Sequence, residues 1–136
     1  MTNSVLNEKK VTKSKNTENL SQTERIKIRD GNRVVFLELD KIVYFIASLR
    51  KSKLIDTGGN LTVVSHSLCE LEQLLPKPLF VRAGRHYLIN TGFLHEVDMR
   101  KKICTLQSAL KTFVLENLSE RSLKTITKNS NFSISI

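Results

Sequence analysis

From Arg25 onward, hydrophobic and polar positions follow two periods, and the switches between them mark the elements of the chain. Arg25-Ile26-Lys27-Ile28-Arg29 places basic and apolar side chains on alternate positions, the period of a half-buried strand. Asp30-Gly31-Asn32 supplies a tight turn and Val34 to Leu37 returns, so the pair predicts a β-hairpin. Leu39-Asp40-Lys41 predicts a short helical turn. Ile42-Val43-Tyr44-Phe45-Ile46 is apolar, β-branched and aromatic without interruption, the composition of a buried strand. Strands over Leu54 to Asp56 and Leu61 to Val64 follow, joined by a Gly58-Gly59-Asn60 turn. The cationic run Arg50-Lys51-Ser52-Lys53 is expected as a basic loop between the strand ending near Leu49 and the one starting at Leu54.

Only at Ser65 does the period change to that of an amphipathic helix, expected over Ser65 to Leu75. Ser65 or Ser67 caps it, Leu68, Leu71, Leu74 and Leu75 form its apolar stripe, Glu70 and Glu72 suit its early turns, and Pro76 and Pro78 stop it. Its acidic polar face is a poor match for DNA, so it is expected to pack on a sheet. After the segment Phe80 to Asn90 come a helical turn at Thr91 to Leu94, a strand from His95 to Met99, a basic tip at Arg100-Lys101-Lys102, and strands over Ile103 to Leu106 and Lys111 to Leu115 with a turn around Ser108. Ser119 to Thr127 reads as a short terminal helix capped by Ser119, with Arg121, Lys124 and Lys128 on or near one side. The pattern as a whole predicts a mainly β (β-rich α+β) fold: small antiparallel sheets, one mid-chain helix and a short C-terminal helix.

Residues 1 to 24 are different. They hold Asn, Thr, Ser, Lys and Glu with few apolar side chains, too few to offset the entropy of ordering them, so a disordered tail is expected there. The expected folded domain is 25 to 128, and 129 to 136 form a polar C-terminal tail without a clear assignment. A chain of 136 residues, 40% hydrophobic, suits one domain with a genuine core.

Charge narrows the partners. The chain carries 22 Lys and Arg against 13 Asp and Glu, a net +9 and a pI near 9.8. The tail contributes four Lys and three Glu, so +8 resides in the remaining 112 residues. An acidic polymer is therefore the first partner to consider, and nucleic acid leads. Cys69 and Cys104 stand far apart without a CxxC pair or a His-spaced partner, which argues against zinc; both read as small buried hydrophobes, with their disulfide state left open. No apolar run is long enough to span a bilayer and no leader pattern opens the chain, so the cytoplasm is expected and membrane insertion is not. His66 and His95 lack any arrangement that demands catalysis, and Gly58-Gly59 is a hairpin signal with no phosphate-cradling pattern around it. No enzyme, no metal and no cofactor is expected.

The densest candidate chemistry lies in Phe80-Val81-Arg82-Ala83-Gly84-Arg85-His86-Tyr87-Leu88-Ile89-Asn90. Phe80, Tyr87 and Ile89 have the spacing of core anchors, while Arg82, Arg85 and His86 surround two small residues. Guanidinium groups held on a rigid frame suit bidentate contact with phosphate or with the O6/N7 edge of guanine.

The order of these pieces resembles the LytTR-type DNA-binding domain, the β-rich output module of many bacterial transcription regulators. Leu37-Glu38-Leu39-Asp40-Lys41-Ile42-Val43-Tyr44-Phe45 is similar to its early block, Leu68-x-x-Leu71-x-x-x-Leu75-Pro76 to its helix, Phe80-x-Arg82-x-x-Arg85-x-Tyr87-Leu88-Ile89-Asn90 to its most diagnostic segment, and Ser119-Glu120-Arg121 to its terminal Ser-x-Arg. The resemblance runs from about Arg25 to Ile126. It implies loops, with no recognition helix, docked in successive major grooves. By motif, the base-reading candidates are Lys51, Ser52 and Lys53, Arg85 with His86, and Arg121; by charge and position, Arg50, Lys53, Arg82, Lys111 and Lys124 are phosphate-contact candidates. Gly84-Arg85-His86 stands where the family commonly has His-Arg-Ser, so the target sequence is expected to differ from common family sites.

The resemblance implies double-stranded DNA at promoter repeats as partner, with a second copy on the DNA and a regulatory protein or RNA polymerase as further expectations. No receiver domain is expected within this length. Two other readings stay open: single-strand or RNA binding by a small β domain, for which the aromatic supply of two Tyr, six Phe and no Trp is thin, and a protein-interaction module for an acidic partner. Phe36, Tyr44, Phe80 and Tyr87 are all expected in the core.

Overall fold

A computed structural model describes residues 24–129. The expected tails lie outside the described residues except for Glu24, whose carbonyl accepts the Leu39 N–H at 3.0 Å, and Asn129, the last residue of the final helix. Alternating strands β1 (Arg25–Asp30) and β2 (Arg33–Glu38) form the expected hairpin, and a 3-10 turn at Leu39–Lys41 leads into β3 (Ile42–Ser48). There follow β4 (Lys51–Asp56), β5 (Leu61–Val64), helix α1 (Leu68–Leu74), β6 (Phe80–Ala83) and β7 (Tyr87–Asn90). After a second 3-10 turn at Thr91–Phe93 come β8 (Leu94–Asp98), β9 (Ile103–Gln107), β10 (Thr112–Leu115) and helix α2 (Glu120–Asn129).

Strands β5-β4-β3-β7-β6 make a five-stranded antiparallel sheet, with β3 at its centre. Its two faces are both covered, as the unbroken apolar run in β3 requires. On one face Phe45, Leu54, Val64, Phe80 and Leu88 meet Leu68, Leu71 and Leu75 of the α1 region and Ile28 of the hairpin. On the other, Val43, Ile55, Ala83 and Ile89 meet Cys104, Leu106, Phe113 and Leu115 of the sheet β10-β9-β8, together with Leu123 and Ile126 of α2. A register shift between Ile42 and Tyr44 turns Val43 and Phe45 to opposite faces, so β3 anchors both cores, each fully buried side chain contributing about 1.5–3 kcal/mol.

Two polar groups hold the end of this sheet distant from the β3–β4 turn. Asn90 is buried; its Nδ2 donates to the carbonyls of Leu39 at 3.1 Å and Ile42 at 2.8 Å, while its Oδ1 accepts the Gly92 N–H at 2.8 Å. The hydroxyl of Thr91 donates to the Leu79 carbonyl at 2.9 Å. Both 3-10 turns are thereby tied to the β3 and β7 ends.

The structure departs from expectation at several points, three of them in the framework. Helix α1 starts at Leu68, not Ser65, because His66 is held outside it: its carbonyl accepts the Ser52 hydroxyl at 2.6 Å and its Nε2 meets the Arg29 carbonyl at 2.6 Å. Ser67 is the cap, and with Glu70 it completes a reciprocal capping box. Cys69 is exposed, since it sits one position off the Leu68-Leu71-Leu75 stripe, whereas Cys104 is buried as expected. Phe36, expected in the core, is 57% exposed on the outer face of the hairpin.

Two outcomes test this packing. Asn90→Ala removes donors to two buried carbonyls and is expected to cost about 2–4 kcal/mol in urea denaturation; a loss below about 0.5 kcal/mol would show that these bonds do not hold the turns. Burial raises the Cys104 thiol to about 11, so at neutral pH a thiol-specific chromogenic reagent should titrate Cys69 rapidly and Cys104 only after denaturant is added. Rapid labelling of both in the native protein would contradict the second core.

Candidate nucleic-acid interface

Three connections converge at one end of the five-stranded sheet. The first is the two-residue turn Leu49-Arg50 between β3 and β4, bracketed by the Ser48 and Lys51 pair. Leu49 is fully exposed and has φ 59°, a left-handed conformation that a branched residue adopts at a cost of order 1 kcal/mol. The second is the turn Gly84-Arg85-His86 between β6 and β7, fastened to β3 just before the first by the Ala47 N–H, which donates to the His86 carbonyl at 2.8 Å. The third is the segment Glu116 to Ser119 leading into α2, whose start is capped by Ser119: its Oγ accepts the Ser122 N–H at 3.0 Å.

Gly84 makes the second and third fit together. It has φ +77°, and a Cβ there would lie 3.0 Å from the Ser122 Oγ. A side chain at this position would be strained at that positive φ and would crowd the Ser122 hydroxyl, which is a physical reason for glycine there. Arg85, His86 and Arg121 consequently line one open concavity of about 670 Å³, floored by Ala83 and Tyr87 and walled by Asn117 and Leu118. All three polar side chains are exposed.

The remaining candidates separate. Arg50 and Lys51 are exposed on the adjoining tip. Lys51, Ser52 and Lys53, expected in a loop, lie instead on β4, because the alternation Lys51-Ser52-Lys53-Leu54 is already a strand period. Ser52 is in phase with Leu54, points into the first core, is 0% exposed and donates to the His66 carbonyl. It is therefore corrected from a base-reading candidate to a buried support of the α1 entry. Lys53 is half-buried opposite Ile46. Arg82 is also occupied: its Nη1 meets Glu72 of α1 at 3.2 Å and its Nε donates to the Gly84 carbonyl at 3.1 Å, so it clamps helix to sheet and orients the Gly84 turn. Lys124 is exposed on α2 with Arg121 and Lys128, and its ammonium lies 3.4 Å from Glu120. Lys111 sits apart from the group. It covers Gly59 at the β4–β5 turn, where the Ser108 hydroxyl donates to the Thr57 carbonyl at 2.7 Å, at the end of the sheet opposite the Leu49-Arg50 tip.

One cationic element was not among the candidates. The β8–β9 tip Arg100-Lys101-Lys102 borders the third segment, since the Lys102 carbonyl accepts the Leu118 N–H at 3.1 Å and its ammonium lies 3.9 Å from Glu120. Its signal in the sequence is the basic run itself; what the sequence hides is that the tip folds beside Leu118. The aromatic rings other than Phe36, by contrast, are largely spent on packing among the described residues. Tyr44 contacts Tyr87 and Phe113 edge-on at 6.0 and 5.8 Å, and Phe45 lies 6.3 Å from Phe80, so no stacking platform of several rings is formed among the described residues. No group of metal-ligating side chains occurs there either.

A family model described as the LytTr DNA-binding domain matches residues 32–130. Among solved structures, the fold is similar to a LytTr DNA-binding domain from Bacillus cereus, with TM-score 0.57 and 18% sequence identity over 79% of this chain and 97% of that one. No curated protein matches the sequence.

Ser52→Ala tests the corrected assignment. Loss of its hydroxyl is expected to lower stability by about 1 kcal/mol and to leave duplex affinity unchanged, as measured by denaturation and by fluorescence anisotropy; lost affinity at unchanged stability would restore Ser52 as a contact residue.

Proposed function

This chain belongs to the LytTr DNA-binding domain family, and from that membership we propose that it regulates transcription by sequence-specific binding of double-stranded DNA, its loop tips entering successive major grooves. The observation that carries this reading is the convergence of Arg85, His86 and Arg121 on one exposed concavity beside the Leu49-Arg50 tip. Arg85 and Arg121 are the base-reading residues: exposed guanidinium groups on short, packed connections are suited to the two acceptors of guanine. His86 supports them as a donor or acceptor to a base edge. Arg50, Lys51 and Lys124, with Arg100, Lys101 and Lys102, contact phosphates on either side and fix the register.

Binding proceeds from charge to sequence. The positive potential of residues 25 to 136, +8 in formal charge, captures any duplex and releases its counterions. Preference arises when the tips meet matching base edges, with a second copy on an adjacent repeat where the promoter provides one. The domain is read as residues 25 to 128, with β1 as an integral part. No helix among the described residues is long and apolar enough to cross a membrane.

The test is to select bound sequences from a random duplex library and then compare variants on the selected and scrambled duplexes. Arg85→Ala is expected to cost about 1–3 kcal/mol on the selected site and little on the scrambled one, whereas Lys124→Ala weakens both alike and reduces the salt slope by about one. Equal losses from Arg85→Ala on both duplexes would remove its base-reading role, and a library that yields no preferred sequence would remove the proposal.

A further inference from the structure

The β1–β2 hairpin carries a second surface, outside the tips proposed to read DNA. Its inner face is apolar, with Ile26 and Ile28 paired against Leu37 and Val35 and turned to the first core. The pairing places Arg25, Lys27, Arg29, Val34, Phe36 and Glu38 together on the outer face. The β1 column of that face is cationic and exposed, as an outward face should be. The β2 column is apolar at two of its three positions: Val34 is 49% and Phe36 57% exposed, beside Glu38.

Val34-Val35-Phe36-Leu37 is thus apolar on both sides, the composition of a strand covered twice, yet the described residues cover it once. Local contacts shield Phe36 only in part. The Arg25 guanidinium lies 5.7 Å from its ring centre and Lys27 is directly opposite it. Glu38, the acidic member of the face, is 3.9 Å from Lys41.

From this face we propose that the hairpin docks an acidic, amphipathic segment of another protein, with carboxylates meeting Arg25, Lys27 and Arg29 and apolar side chains covering Val34 and Phe36. Charge selects this occupant. A second copy of the chain would bring a like-charged row to the same face. A duplex would satisfy the cations and leave both apolar side chains exposed. Geometry points the same way: β1 runs toward the end that holds the reading tips, and a strand rise of about 3.3 Å per residue sets Arg25 roughly 13 Å behind Arg29. On the proposed function, a duplex laid across those tips meets Arg29 before Arg25. The argument from direction rests on the proposed function; the argument from the outer face does not.

The probe is a fluorescent synthetic peptide with Leu and Phe on one helical face and Glu on the other, alongside two controls, one with Lys for Glu and one with Ser for Leu and Phe. The wild-type protein is expected to bind the acidic amphipathic peptide saturably and neither control. Phe36→Ser and Lys27→Glu are each expected to weaken that binding about tenfold or more, with thermal unfolding showing that both variants fold and with affinity for the selected duplex unchanged in Phe36→Ser. No binding of the acidic amphipathic peptide by the wild type overturns the proposal. So does a matching loss of duplex affinity in Phe36→Ser, which would assign the face to DNA, or a sedimentation dimer abolished by Phe36→Ser, which would assign it to a second copy. Absence of any preferred duplex would sink the DNA reading alone, since the peptide titration is read without DNA.

Discussion

Burial of β3 on both faces is the constraint from which the rest of the structure follows. A strand reading Ile42-Val43-Tyr44-Phe45-Ile46 has no side that tolerates water, so the chain must supply a cover for each. Phe45 is met by α1 and the hairpin, and Val43 by the three-stranded sheet and α2. With two cores divided by one sheet, every connection at a given end of that sheet is brought within reach of the others. The tips at Leu49-Arg50 and Gly84-His86 come from distant parts of the sequence and end up adjacent because β4 and β7 both pair with β3, and Glu116-Ser119 joins the second because α2 packs against β6.

Rigidity at that end comes from small, specific contacts. The Ala47 bond to the His86 carbonyl fastens the Gly84-His86 tip to β3. Gly84 leaves room for Ser122, so the helix cap and the turn interlock. Arg82 spends its charge on Glu72 and the Gly84 carbonyl. A cation that looks available in the sequence is thereby a strut, and the exposed cations beside it owe their position to it. Polar groups buried and satisfied in this way fix geometry more than they add stability.

Much of the fold was legible in the sequence because it rests on local chemistry. The Asp30-Gly31-Asn32 turn and the Ser119 cap each follow from a few neighbouring residues, whereas the choice of Ser67 over Ser65 as the cap of α1 was left to the structure. Strand period also held the information for Ser52, whose phase with Leu54 directs it inward, but the surrounding lysines suggested a loop. The placement of Lys111 was not legible, since it depends on the β9–β10 turn meeting the β4–β5 turn, a contact between segments about fifty residues apart. The same holds for the Arg100-Lys102 tip beside Leu118, and for Phe36, whose apolar character is blind to which face of the hairpin is left open.

The division of labour among the tips bears on how such a domain diversifies. Leu49 adopts its left-handed backbone in a connection of two residues, and neither core contains it. Replacements there that tolerate the left-handed backbone leave β3 and β4 paired as before, so the surface chemistry of this tip can change while the neighbouring tips and the hydrophobic interior stay as they are. Evolution at this end can therefore proceed tip by tip, whereas the central strand admits almost no drift.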